Sequence, residues 1–78
     1  MHAANRGDYL LCNANNMLLR AGSMAKARMT PVAIAHVGGT YPWLVYDPTT
    51  CDPTRTSLYY GAPVCAVIQP DGYLEVIT

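Results

Sequence analysis

Charge is the scarcest commodity in this sequence. Only 13% of the 78 residues are Asp, Glu, Lys or Arg, five basic against five acidic, and the formal net charge is zero. A typical soluble domain carries about 25%. Binding to nucleic acid needs a basic footprint that neutralises phosphates, and this chain has none, so nucleic acid is not an expected partner. Phe is absent altogether, whereas Tyr occurs six times and Trp once. The aromatic content therefore carries polar tips, which suits edges and interfaces. No apolar run reaches the length of a membrane span, and the opening Met-His-Ala-Ala-Asn-Arg-Gly-Asp is too polar for a signal peptide, so neither membrane insertion nor secretion is expected. Localisation is otherwise open, with an intracellular or particle-associated life as the default.

Cysteine is also sparse. Cys12, Cys51 and Cys65 are an odd number with no zinc or redox spacing. Three reduced thiols are the expectation, with a Cys51–Cys65 disulfide as the rival. No Gly-rich phosphate cradle occurs, because Gly38-Gly39 is not followed by Lys. No cofactor or metal is expected.

What the chain does have is hydrophobic residues, 51% of the total. A chain of this length makes one domain, near the size at which a single core supplies only a few kcal/mol and help from a partner becomes common. Residues 1–7 show no apolar period and read as a flexible arm. Val64 to Thr78 reads as a closing β-hairpin around Gln69-Pro-Asp-Gly-Tyr73. A three-residue Pro-Asp-Gly loop with Gly72 in the left-handed region pairs Ile68 with Leu74 and Ala66 with Val76, and it gathers Val64, Ala66, Ile68, Leu74 and Val76 on a core face. Val32-Ala-Ile-Ala-His-Val37 and Tyr41-Pro-Trp-Leu-Val-Tyr46 form a second hairpin. Either a Gly-Gly or a Gly-Gly-Thr loop joins them, setting Trp43 opposite Ile34 or Ala35. Pro42 lacks an N–H, so the later strand is either an edge or turns its N–H side at residue 42 away from a partner.

Residues 13–28 are ambiguous. Asn13-Ala-Asn-Asn16 favours a turn between two strands, and Ala25-Lys-Ala-Arg-Met-Thr30 alternates like a strand. Leu11, Ala14, Leu18, Ala21 and Ala25 also fall near a helical period, with Gly22-Ser23 counting against a helix. The reading leans to strands and to a mainly β fold, a small barrel, roll or sandwich of antiparallel hairpins. The alternative is α+β with one helix over about 13–28. Asp47 to Ser57 is a long loop in which Asp-Pro-Thr occurs twice, each Asp placed to accept from the backbone two residues on. Ser57-Leu-Tyr-Tyr60 reads as a short strand.

Three functional readings compete. Low charge, apolar strands and tyrosine-tipped faces point to a non-enzymatic structural or interaction subunit that works in an assembly, as a homo-oligomer or as part of a larger particle. By composition alone, small shell, tail or decoration subunits of viral particles look like this, as do small partner-binding modules. Its expected contact residues are Tyr41, Trp43, Tyr46, Tyr59 and Tyr73, with the strand Tyr41 to Tyr46 as the main surface. The second reading is a small hydrolase or acyl-transfer enzyme with Cys12 as nucleophile, His36 as base and Asp47 or Asp8 as orienter. The third is a cell-surface binding module displaying Arg6-Gly7-Asp8, a tripeptide of almost no specificity on its own.

Overall fold

A computed structural model describes residues 9–77. Residues 1–7, read from sequence as an arm, lie outside the described residues. The described residues form one antiparallel sheet of five strands with a single helix on one face. In chain order the elements are β1 (Tyr9–Cys12), α1 (Met17–Arg28), β2 (Val32–His36), β3 (Trp43–Tyr46), a 3-10 turn at Pro53–Arg55, β4 (Val64–Ile68) and β5 (Leu74–Val76). The sheet order is β1-β3-β2-β4-β5. This is the α+β arrangement, mostly β with one helix. Among the described residues the sheet stays open, with β1 and β5 as its two edges, and does not close into a barrel or stack on a second sheet.

The lean toward strands in residues 13–28 is corrected here. Asn13 does make the turn its composition favours, its side chain accepting from the N–H groups of Asn15 and Asn16. The turn leads into a helix, because Met17 donates to the Asn13 carbonyl and Arg20 to that of Asn16. The period-two alternation of Ala25 to Thr30 is short enough to fit a helix as well, and burial decides between the two. Ala21 and Ala25 are wholly buried on one stripe, small enough to let α1 lie close on β2, β3 and β4. The helix ends at Met29, which adopts the left-handed conformation at φ 57° and donates to the Ala25 carbonyl. Pro31 prevents any continuation.

Gly22 is a weak point in this helix that the sequence flags correctly. A Cβ added there meets only the Ile68 Cδ1 at 3.6 Å, an ordinary contact. Gly22→Ala should therefore stabilise the fold by about 0.5–1 kcal/mol, through helix propensity alone. The thermal midpoint should rise by a few degrees; a fall would show that the helix sits closer to β4 than this geometry allows.

The core lies in two layers. Cys12, Ala21, Ala25, Val32, Ile34, Val45, Ala66 and Ile68 fill the space between sheet and helix, with Met17, Met24, Trp43 and Leu74 at its margin. Ala33, Ala35, Leu44 and Tyr46 lie on the other face, covered by Tyr9, Val37, Tyr59, Ala62 and Val64. Tyr59 and Ala62 of this second cover come from the long connection after β3, and with Tyr9, Val37 and Val64 they bury β2 and β3 on their second face, so both strands read as continuous apolar runs. Residues 57–60 are turns and bends in this cover, not the expected strand.

The closing hairpin has the register its turn chemistry dictates. Ile68 pairs with Leu74, Val67 with Glu75 and Ala66 with Val76. Gly72 sits at φ 95° and donates to the Gln69 carbonyl at 2.9 Å. The expected core face needs two corrections. A bulge between β2 and β4 sets Ile34 against Ala66 but Ala35 against Val64, skipping Cys65, and this turns Val64 to the face away from the helix. Val76 is 65% exposed, because α1 does not extend over β5.

The β2–β3 hairpin follows neither expected register. His36 pairs with Trp43, Ala35 with Leu44, Ile34 with Val45 and Ala33 with Tyr46. The Val37 N–H donates to the Pro42 carbonyl at 2.8 Å, so the loop spans Gly38 to Tyr41. Pro42 precedes the strand and serves only as an acceptor, which removes its bar to a central position. β3 is indeed central, paired with β1 on one side and β2 on the other, and not an edge.

Candidate functional site

The proposed nucleophile and base occupy one row across the sheet. Cys12 on β1 and His36 on β2 both pair with Trp43 on the strand between them. Two strand spacings separate their backbones, about 10 Å, and the Trp43 ring packs edge-on against His36 with centroids 4.9 Å apart. Asp47 lies past the opposite end of β3, held by Arg28. The structure thus does not bring Cys12, His36 and Asp47 together, and Asp8, the other candidate orienter, lies outside the described residues, as does Arg6-Gly7-Asp8. Cys12 is buried beneath the helix, and this burial pushes its thiol up from the ordinary value, with Arg20 pulling weakly the other way. A nucleophilic cysteine needs the reverse. All three cysteines are thiols, and no Cys51–Cys65 disulfide forms.

These facts predict how the thiols react. Cys12 should resist alkylation at neutral pH in the folded state and react only when the chain unfolds, whereas half-buried Cys65 reacts first. Selective rapid labelling of Cys12 in mildly acidic buffer, read by peptide mass mapping, would contradict that environment.

The Asp-Pro-Thr repeat works as two clamps at the end of β3. Asp47 is only 2% exposed. Its Oδ1 accepts from the Thr49 N–H and hydroxyl at 2.9 and 2.6 Å, and its Oδ2 faces Arg28 of α1 at 3.3 Å. Burial alone would raise its pKa, but the Thr49 bonds and the Arg28 charge outweigh it and hold the carboxyl below its ordinary value. Asp52 repeats the geometry, accepting from the Thr54 N–H and hydroxyl. The Tyr46 phenol bonds to Asp52 and Thr54 from beneath. One clamp ties the loop to the helix and the other ties it to the opposite face of the sheet. Among the described residues no group of three His, Cys, Asp or Glu side chains gathers to hold a metal.

The expected contact residues divide. Tyr41 and Tyr73 are exposed, in the β2–β3 loop and the closing turn. Tyr59 is half-buried, edge-on to Tyr9 with centroids 6.0 Å apart. Trp43 packs at the margin of the helix-side core. Tyr46 is 2% exposed and belongs to the core, so it cannot face a partner. With β3 central, the strand Trp43–Tyr46 offers no edge for pairing, and only Tyr41 of the expected stretch is exposed, in the loop before it. An open hollow of about 270 Å³ lies beside His36 and Val37, walled by residues 57–62.

Sequence reasoning missed the apolar side chains at the sheet margins. Leu10 and Leu11 on β1 are 38% and 41% exposed, and Val76 and Ile77 stand out at β5. The signal was present in Tyr9-Leu-Leu-Cys12, which is apolar at both parities and so presents leucine on both faces wherever it lies. No protein-family model, curated protein or solved structure matches this chain.

Proposed function

We propose that the chain is a non-enzymatic structural or interaction subunit that works in an assembly. The observation that carries this reading is the exposure of Leu10, Leu11, Val76 and Ile77 at the two open edges of a sheet whose chain has a net charge of zero. Unpaired edge strands present ready hydrogen-bonding groups, and soluble monomers normally protect them. Little net charge also means little self-repulsion to keep copies apart. Leu19, Leu58 and Tyr60 add further exposed apolar area. The partner is protein and not nucleic acid, since the basic residues are few and balanced by acidic ones. Particle subunits, viral shell, tail and decoration proteins among them, are the kind of assembly such a chain suits.

Sedimentation velocity and native mass spectrometry at micromolar concentration test the reading. The expected species is a multiple of the 8.5 kDa chain or a complex with another protein. A monodisperse monomer that recovers no protein in pull-down would dispose of it.

A further inference from the structure

The assembly reading names no surface, and the hydrogen-bond parity of the sheet supplies one. Val37 donates to the Pro42 carbonyl, so residue 42 directs its bonding groups toward β2. Bonding groups alternate sides along an antiparallel strand, which turns those of Trp43 and Val45 toward β1 and onto their register partners Cys12 and Leu10. The N–H and C=O groups of Tyr9 and Leu11 are therefore directed away from the sheet, at its open edge.

Among the described residues, this edge is short but carries no charged or bulged protection. Tyr9–Cys12 contains no proline, no charge and no bulge, and no charged residue occurs from Tyr9 to Leu19. The opposite edge differs. The Gln69–Tyr73 and Cys65–Ile77 bonds leave Leu74 and Val76 facing outward there, with Glu75 between them. A two-fold self-pair centred on β5 would set two Glu75 carboxylates against each other.

Resting on the assembly reading, we propose that β1 is a self-pairing edge whose occupant is the β1 of a second copy of this chain. The two strands run antiparallel about a two-fold axis at Leu11, so the N–H of each Leu11 donates to the carbonyl of its counterpart. Leu10 then stands opposite Cys12 of the copy on the helix face, and the pairing of Leu10 to Cys12 lies wholly within the uncharged stretch. The two sheets become one, and the leucines exposed on both faces of the edge gain a neighbour. A second copy is favoured over an unrelated strand because the two-fold register makes the edge its own complement. An isologous pair also closes on itself, whereas β1 against β5 would continue without end.

Leu11→Cys tests the register. Residues opposite each other in a bonded pair have Cα atoms about 5.5 Å apart, within the range a disulfide spans. Mild oxidation should convert this variant to a covalent dimer reversed by reductant, well above wild type with its native thiols and above Leu19→Cys, an exposed position on α1. Leu11→Lys should raise the dimer dissociation constant more than tenfold with an unchanged circular dichroism spectrum. If Leu11→Lys fails to fold, the cross-link decides alone. No cross-linking beyond the Leu19→Cys control overturns the β1 pairing, as does a Leu11→Lys variant that folds and keeps the wild-type mass. In either case a wild-type mass above the monomer leaves the assembly reading standing, with its surface elsewhere. An open-ended series of masses also overturns the pairing, and a wild-type monomer overturns it while pull-down decides the broader reading.

Discussion

Tyr46→Ser is expected to unfold the chain. Tyr46 is 2% exposed, packs with Ala33, Ala35 and Leu44, and sends its phenol into the second Asp-Pro-Thr clamp. Truncating a buried aromatic side chain typically costs about 3–5 kcal/mol, which is as much as a core this small supplies. Tyr46→Phe separates the two contributions. It keeps the ring in place and removes only the hydroxyl, and because Asp52 and Thr54 still pair with each other the loss should be about 1 kcal/mol. Urea titration of both variants distinguishes the cases. A stable, folded Tyr46→Ser of reduced assembly mass would instead make Tyr46 a contact residue and displace the core assignment.

How much of this was legible in the sequence depended on whether local chemistry or long-range pairing decided each feature. The Pro-Asp-Gly turn is local: Gly72 accepts the positive φ, Asp71 accepts from the Tyr73 N–H, and the register follows from the loop length. The two Asp-Pro-Thr turns are local too, and each Asp accepts from the residue two on, as its side-chain reach requires. The 37–42 loop was misread because Gly38-Gly39 suggests a tight turn, while Pro42 can contribute only its carbonyl and moves the first paired residue outward. The helix was legible as an alternative but not as the choice, since Ala25 fits the helical period with Ala21 and the period-two alternation with Ala27, and only docking on the sheet selects one. Strand order was not legible at all. Nothing within Tyr9–Cys12 says that it pairs with β3 and becomes an edge, and the same fact makes β3 central, with Tyr46 in the core and Trp43 at its margin. The catalytic row failed for a related reason. Cys12 and His36 do share a row, but Trp43 stands between them on β3 and Cys12 is buried.

Removing the first clamp should have the other large effect. Asp47→Ala takes away the acceptor for the Thr49 N–H and hydroxyl and the partner of Arg28, at a position almost without solvent. Hydrogen bonds to a charged group contribute about 1.5–3 kcal/mol each, but the Arg28 side chain remains 31% exposed and can recover water. A loss of about 2–3 kcal/mol is expected, enough to loosen both the end of α1 and the start of the covering loop. The charge itself is visible through pH. The folded-state carboxyl is held below its ordinary value of about 3.9, so the unfolded chain takes up the proton first as pH falls. The stability due to this ionised clamp is therefore fully present above that ordinary value and is lost progressively as pH drops through the folded one. Asp47→Asn keeps an oxygen for Thr49 but carries no charge, so its stability should begin lower than wild type at neutral pH and fall less steeply in acid. Denaturant midpoints measured from neutral pH down to pH about 3 should show the two curves converging. Parallel curves would mean that the Asp47 carboxyl takes up its proton at the same pH in the folded and unfolded chain, so that its charge adds nothing to holding the loop.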